Sequence, residues 1–291
     1  MPSQLGLVLC AAIAEFQATP GAYESSYRRY LGVAPPVPFD PCTGGEWIRQ
    51  IDPASSLQSV IERGTLRIGH VDAAPYVFRR TASDLGGLDY DTGNALTAIM
   101  ARHYPGLRPH PEWVLVGGAY TDESAKAAAL RDAMAAGEFD VALSGQANIG
   151  SELTGVDWLC ATNLCFTNFL YTGRDGFQLG QLTTRQEVVD ALKTLKDITI
   201  AYVANNPGPS TPSAINLLHD VGSHVSLMPS QGSAPLNAWV ASQQCHFAVG
   251  DGIASSWLAL NQWPDATNFN VQVALPANPP QPVAGFTLQG V

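Results

Sequence analysis

Several residues with ligand-binding or catalytic chemistry lie where hydrophobic, strand-like segments end. Ser144, Gly145 and Gln146 close the segment 139–144 and offer backbone groups and a side-chain amide to a polar ligand. His70 ends the segment 66–70 and is an alternative for proton transfer, although a histidine packed in a core is the commoner outcome. Ligands of open α/β sheets bind beyond the carboxyl ends of the strands, so we expect a ligand site there.

The cysteines do not form a recognisable metal motif. The chain has five, so at least one stays unpaired if disulfides form. Cys160 and Cys165 are close enough in sequence to close one small loop. No histidine or second cysteine pair stands at metal-ligand distance from them, so we predict neither a metal site nor a cofactor.

Composition excludes some functional classes. The net charge is −10, and the adjacent basic pairs are Arg28-Arg29 and Arg79-Arg80, so binding to nucleic acid is not expected. No apolar run approaches the length of a membrane span. The segment LGLVLCAAIA is interpreted as an amphipathic helix and not a signal peptide, because no lysine or arginine precedes it and Glu15 follows directly.

The hydrophobic pattern alternates between strand and helix periods, which predicts an α/β protein. Predicted strands cover residues 66–70, 113–116, 139–144, 198–203 and 282–288. Predicted helices cover residues 92–103, 122–136, 186–195, 236–243 and 252–261. A further helix is expected to begin at Pro212, with Ser210 or Thr211 as its N-cap.

Four segments, in order, resemble the type II periplasmic binding proteins, specifically the polar amino acid-binding family 3. They are residues 57–91, with Gly64, Leu66, Ile68, Gly69, Pro75, Tyr76, Phe78, Gly87, Asp89 and Asp91 as the matches; residues 137–158, GEFDVALSGQANIGSELTGVDW; residues 195–213; and residues 246–258, HFAVGDGIASSWL. The resemblance implies a two-lobed fold with a hinged cleft between the lobes that closes on a small solute.

The same resemblance implies an unusual ligand. The family's carboxylate-clamping arginine falls on Glu152, and its amine-binding aspartate falls on Asp251. A glutamate repels the carboxylate that a guanidinium would grip with two hydrogen bonds. A cationic or amine-bearing ligand would satisfy both acids, unless the loop has shifted and Glu152 is solvated.

Further ligand contacts follow from the family pattern. Tyr76 and Phe78 correspond to aromatic residues that sandwich the ligand, although Phe78 could instead cap the core of the first lobe. Ser210 and Thr211 lie in the turn that follows the first strand of the second lobe. With Ser144, Gly145, Gln146, Glu152 and Asp251, these residues form the predicted binding set.

The order of the segments suggests a circular permutation. The family's last helix follows its final strand, whereas here residues 1–32 resemble that helix and precede everything else. Residues 33–56 would then be a proline-rich connector, 57–172 the first lobe, 173–278 the second, and 279–291 a return strand. The alternative is that residues 1–32 complete a neighbouring copy in a tandem protein. In either case the helix should pack on the first lobe.

The resemblance predicts a non-catalytic receptor for a small polar molecule, with an ABC permease or a sensor domain as partner. The family is periplasmic or extracellular, while the lack of a convincing signal peptide leaves a cytoplasmic location open. The alternative is a lyase, dehydratase or isomerase on the same scaffold, as in cyclohexadienyl dehydratase, with Glu152, Asp251 and His70 as acid and base. The sequence does not identify the ligand.

Overall fold

Helices and strands alternate along the chain in the order expected for parallel sheets covered by helices. The computed structural model describes residues 2–35, 42–81, 84–118, 123–146, 153–164, 166–171, 174, 182, 184–204, 210–222, 225–231, 236, 238–240, 242–261, 270–276 and 282–289.

The strands are β1 (Arg67–His70), β2 (Phe78–Thr81), β3 (Asp84–Gly86), β4 (Glu112–Leu115), β5 (Val141–Ala142), β6 (Val156–Leu164), β7 (Phe166–Tyr171), β8 (Ile198–Val203), β9 (Val225–Ser230), β10 (Phe247–Asp251), β11 (Asn270–Pro276) and β12 (Pro282–Leu288). The helices are α1 (Gln4–Ala18), α2 (Ala22–Leu31), α3 (Ser56–Arg63), α4 (Leu88–His103), α5 (Glu123–Ala135), α6 (Arg185–Thr194), α7 (Ser210–Val221) and α8 (Gly252–Asn261).

The chain divides into two compact units. The first comprises Met1–Arg29, Pro38–Leu164 and Pro282–Val291, and the second comprises Tyr30–Val37 and Cys165–Gln281. The division after Leu164 precedes the expected one at residue 172, because β7 pairs with β10 and β11 of the second unit.

The sheet of the first unit has the order β4-β1-β5-β12-β6. Strand β1 is parallel to β4 and β5, whereas β12 is antiparallel to β5 and β6. A hydrophobic core packs α5 against this sheet through side chains such as Leu130, Phe139 and Phe286. Because β1 and β5 are parallel neighbours, their carboxyl ends lie side by side.

The sheet of the second unit has the order β11-β7-β10-β8-β9. Strands β10, β8 and β9 are parallel, β7 is antiparallel to β10, and β11 is antiparallel to β7. Apolar residues of α6 and α7 pack on it, including Val188, Leu192 and Leu217 against Ile200 and Phe247.

Helix α1 packs within the first unit, chiefly against α4 and β6. An apolar stripe of this helix is buried: Leu5, Leu9, Ala12, Ile13 and Phe16 are each at most 9% exposed. Ser3 caps the helix by accepting a hydrogen bond from Gly6 N, and its Oγ lies 3.2 Å from Thr287 Oγ1 at the end of β12. The first helix therefore begins beside the last strand.

One disulfide ties the segment after α2 to the sheet of the first unit. Cys42 bonds Cys160 of β6, with Cα atoms 5.5 Å apart and a sequence separation of 118. Cys160 therefore does not close the small loop with Cys165 that the sequence allowed. The segment that carries Cys42 lies along α1, where Cys42 N donates to Gln17 Oε1, and this brings Cys42 to β6. Cys165 is outside the described residues.

Some helices and strands begin and end at the residues that the local hydrophobic pattern predicts. Strands β8 and β12 and helix α8 have the predicted limits, which confirms those assignments. The predicted N-cap at Ser210 or Thr211 is wrong, because α7 already begins at Ser210. Proline is tolerated in a first helical turn, where backbone N–H groups have no intrahelical acceptor, so Pro212 does not mark the start.

Among the described residues, no single helix is long and apolar enough to cross a membrane, although the bent pair α1 and α2 meets the criteria of length and composition jointly.

Candidate functional site

Tyr76 is held in the first unit between β1 and α4. Its backbone oxygen accepts a hydrogen bond from Asp89 N at 2.9 Å, and its N–H donates to Ala73 O at 2.9 Å. The side chain is half-buried. Phe78, also half-buried, begins β2 and pairs with Gly86 of β3. Both predicted aromatic contacts therefore belong to the first unit, near the carboxyl end of β1.

The turn after β5 lies against the ring of Tyr76. Gly145 has φ of +63°, and a Cβ added there would be 2.2 Å from Tyr76 Cδ2. Glycine is needed for both reasons, because the left-handed region disfavours a side chain and the ring occupies its space. The preceding residue, Ser144, is 1% exposed, and its Oγ accepts a hydrogen bond from Val71 N at 3.0 Å. The ends of β1 and β5 are thus joined directly.

Asp89, at the start of α4, holds the turn after β5 in place through hydrogen bonds. It is 1% exposed. Its carboxylate accepts hydrogen bonds from Gly145 N at 2.5 Å, Asn163 Nδ2 at 2.5 Å and Thr162 Oγ1 at 3.4 Å. Burial raises the pKa of Asp89 to about 6, while the hydrogen bond from Gly145 and the charge of Lys126 act in the opposite direction.

Lys126 of α5 completes the polar cluster. The side chain is buried, with 7% exposure, and Nζ donates to Ser144 O at 3.2 Å. The cluster formed by Asp89, Lys126, Ser144, Thr162 and Asn163 is called the buried polar cluster below. Sequence reasoning treated Asp89 only as a match to the start of a helix and missed Lys126, Thr162 and Asn163, since they come from α5 and β6 and share no local motif.

Gln146 turns inward in the structure. It is 1% exposed, and its Nε2 donates to Ser144 O at 3.3 Å. Its backbone oxygen accepts from Ala284 N of β12 at 3.0 Å. The residue therefore supports the turn after β5 from the side of the sheet.

His70 is a buried residue of β1, with 2% exposure. Its Nδ1 lies 3.1 Å from Val71 O, and its ring meets Trp113 edge to face. Burial lowers the pKa of His70, which favours a neutral ring near neutral pH. This environment is that of a core histidine.

Of the remaining predicted site residues, Asp251 lies in the second unit, at the end of β10. Its Oδ1 accepts a hydrogen bond from Ala254 N at 2.8 Å, so the carboxylate caps α8. Ser210 and Thr211 occupy the first turn of α7, and their side chains are outside what the structure describes. Glu152 also lies outside the described residues.

No protein-family model and no curated protein matches the sequence. Solved structures match it in fold. An L-cystine solute receptor of Neisseria gonorrhoeae in its unliganded open form gives a TM-score of 0.55 at 13% identity, over 81% of this chain and 85% of that one. The second substrate-binding domain of a proposed amino acid ABC transporter from Streptococcus pneumoniae gives 0.54 at 11% identity, over 78% and 86%.

An ancestral cationic amino acid solute-binding protein gives a TM-score of 0.52 at 16% identity, over 81% of this chain and 87% of that chain. Identities this low establish the fold and leave ligand and partner open. The chain has the α/β fold of the type II periplasmic, or solute-binding, proteins.

Proposed function

We propose that this protein is a non-catalytic receptor that binds a small polar, amine-bearing or cationic solute for ABC-type transport or sensing. The observation that carries the proposal is the surface formed by Tyr76 and the turn at Gly145. The half-buried ring of Tyr76 rests on a glycine whose backbone N–H is held by Asp89. A surface fixed before the ligand arrives loses little conformational freedom on binding, which favours affinity.

Charge supports the cationic class of ligand. The chain has Glu152 where the resemblance places a carboxylate-binding arginine, and Asp251 where it places an amine partner. The face of a tyrosine ring attracts ammonium and guanidinium groups. One of the proteins of similar fold is named as a cationic amino acid solute-binding protein. We propose Tyr76, Glu152 and Asp251 as the principal ligand contacts.

The surroundings of His70 give no support to the alternative of a lyase or isomerase. Its Nδ1 is beside Val71 O and its ring packs on Trp113, which are contacts of a structural residue. We therefore do not propose a catalytic function, and the screen described next would detect one.

Thermal-shift screening against amino acids, polyamines, guanidines, betaines and cyclic carboxylates is expected to give a stabilising cationic compound, since binding to the native state raises the melting temperature. Mass spectrometry should recover that compound unchanged. Recovery of a converted product, with conversion lost in Glu152→Gln, would instead identify an enzyme.

Neutralising either proposed acid should weaken binding of the compound found in this screen by about tenfold to a hundredfold, because a hydrogen bond to a charged group contributes about 1.5–3 kcal/mol. The variants are Glu152→Gln and Asp251→Asn, measured by calorimetry. Asparagine is also a good N-cap, so α8 should be preserved. The exposed acids Glu138 and Asp190 supply matched controls as Glu138→Gln and Asp190→Asn. Unchanged affinity in both test variants would eliminate the acidic site.

We further propose that the chain is a circular permutation of this fold, in which α1 occupies the position of the helix that follows the last strand in the resembled family. The contact between Ser3 and Thr287 supports this, because it places the start of α1 beside the end of β12. A rearranged chain, with a glycine-serine linker from Val291 to Met1 and new ends within residues 36–41, should melt cooperatively near the original temperature. Loss of the cooperative transition would contradict the permutation.

A further inference from the structure

Three cysteines from distant parts of the first unit meet outside the proposed ligand site. Cys10 lies on α1, Cys42 follows α2, and Cys160 lies on β6. Their sulfur atoms all lie within 4.8 Å of one another. Cys42 and Cys160 form the disulfide, and Cys10 keeps a free thiol beside it. This set is called the cysteine triad below.

The backbone around the triad is fixed by close packing. Gly45 lies so near α1 that an added Cβ would be 2.2 Å from Ala11 N, and Glu46 N donates to Leu7 O at 3.1 Å. The Cys160 N–H donates to Cys10 Sγ at 3.4 Å. An N–H donor of this kind stabilises a thiolate and is the supporting contact that metal-bound thiolates commonly receive.

The triad also has room for a ligand and access to solvent. All three cysteines are partly exposed. Cys10 and Cys160 line a cavity of about 290 Å³, together with Thr43, Gly44, Asp157 and Trp158 among other residues. A metal ion held by the three sulfur atoms would therefore have an open side on which a water molecule or a small thiol could complete its coordination.

We propose that reduction of the Cys42–Cys160 disulfide converts the cysteine triad into a site for one thiophilic metal ion, for which Zn²⁺ is the best fit. A dithiol supplies the two electrons: it is oxidised to a cyclic disulfide while the Cys42–Cys160 bond breaks to give two thiols. The ion then binds the three sulfur atoms as thiolates, and three protons are released to solvent. The disulfide form and the metal form exclude each other.

The donor set selects the class of metal. Three thiolates favour Zn²⁺ or Cu⁺ over Mg²⁺ and Ca²⁺, which bind oxygen ligands. Zn²⁺ is tetrahedral, and a fourth position directed at the cavity suits it. Each cysteine thiol must lose its proton before its sulfur atom binds the metal. Affinity should therefore rise as the pH rises.

The test uses the full chain in two states, as purified with the disulfide intact and after reduction with a phosphine that is then removed. Zn²⁺ is titrated against a colorimetric chelator, and Co²⁺ is used to detect thiolate-to-metal charge-transfer absorption. The reduced chain should bind one ion and the oxidised chain none at this site. Equal binding in both states would overturn the proposal.

Cys10→Ser provides the decisive variant, because it leaves the disulfide intact and removes one ligand. In the reduced state its Zn²⁺ affinity should fall more than about a hundredfold, since even loss of a supporting contact costs 10–100-fold. Cys245→Ala is the matched control, because Cys245 is a buried thiol of the second unit, far in sequence from the triad. It should bind as the unaltered chain does. Unchanged affinity in Cys10→Ser would refute the assignment.

A folding measurement keeps the test interpretable if reduction unfolds the first unit. In that case Zn²⁺ should restore a cooperative melting transition in the reduced unaltered chain, because metal binding then contributes folding free energy. It should fail to do so in reduced Cys10→Ser. Restoration in both chains, or in neither, would contradict the site.

Discussion

Replacing Asp89 by alanine is expected to lower the free energy of unfolding by about 3–5 kcal/mol near pH 7, as is typical when one partner of a buried charged network is removed. Three donors, on Gly145, Thr162 and Asn163, would lose their acceptor. The buried ammonium group of Lys126 would also lose a neighbouring negative charge. Urea unfolding followed by circular dichroism measures the change.

Asp91→Ala is the matched control for this prediction. Asp91 lies on the same helix, but its ion pair with Arg29, at 3.0 Å, is partly exposed, and the arginine side chain is 59% exposed. Exposed pairs contribute up to about 1 kcal/mol, and the hydrogen bond that Asp91 Oδ2 accepts from Ser26 Oγ at 2.6 Å contributes about 1 kcal/mol, so the loss should stay below about 2 kcal/mol. Equal losses of stability in Asp91→Ala and Asp89→Ala would show that the buried polar cluster contributes no more to stability than a partly exposed ion pair does.

The raised pKa of Asp89 predicts that the free energy of unfolding falls as the pH rises. Its pKa is raised in the folded protein, from 3.8 to about 6, so the folded state binds the proton more tightly than the unfolded state. The stability contributed by protonation is therefore complete below about pH 4 and is lost as the pH rises through about 6.

The stability difference between the unaltered chain and Asp89→Ala should accordingly shrink by up to about 3 kcal/mol across this interval, since one pKa unit corresponds to about 1.4 kcal/mol. Urea denaturation of both proteins at a series of pH values measures it. A difference that grows with rising pH would show that the carboxylate is favoured as the anion, contrary to this prediction.

Gly145→Ala is expected to damage both stability and ligand binding. The new Cβ would lie 2.2 Å from Tyr76 Cδ2, at a residue with φ of +63°. The left-handed backbone costs about 1–2 kcal/mol for a residue with a side chain. Overpacking adds about 1–3 kcal/mol. Since the ring must move, affinity for the compound found in the thermal-shift screen should fall by more than about tenfold, or 1.4 kcal/mol.

Gly155→Ala separates the cost of the left-handed backbone from the cost of the clash with Tyr76. Gly155 has φ of +79°, and nothing lies within 4 Å of its added Cβ, so it reports the backbone cost alone. Stability losses should therefore be larger for Gly145→Ala, and affinity should change only there. The double variant Tyr76→Ala/Gly145→Ala should lose less stability than the sum of its single variants, because the clash is absent. Equal losses in the two glycine variants would show that Tyr76 does not rest on Gly145.

The sequence by itself determined the elements whose signal is local. The apolar stripe of α1 predicted a helix with one buried face, and the apolar runs of β8 and β12 gave their limits. Each of these patterns lies within a few turns or a single strand, so periodicity is sufficient to detect it. The order of motifs also predicted the fold that the solved structures share.

Only the tertiary structure decided which distant residues meet. Strand β6 was not predicted, yet it carries Thr162 and Asn163 to Asp89 and Cys160 to Cys42. The bond from Gly145 to Asp89 spans 56 positions, and the disulfide spans 118. Contacts at such separations leave no period in the sequence, because they depend on which strands become neighbours in a sheet. For the same reason the sequence left the disulfide pairing open and allowed a short Cys160–Cys165 loop, whereas the fold pairs Cys160 with Cys42.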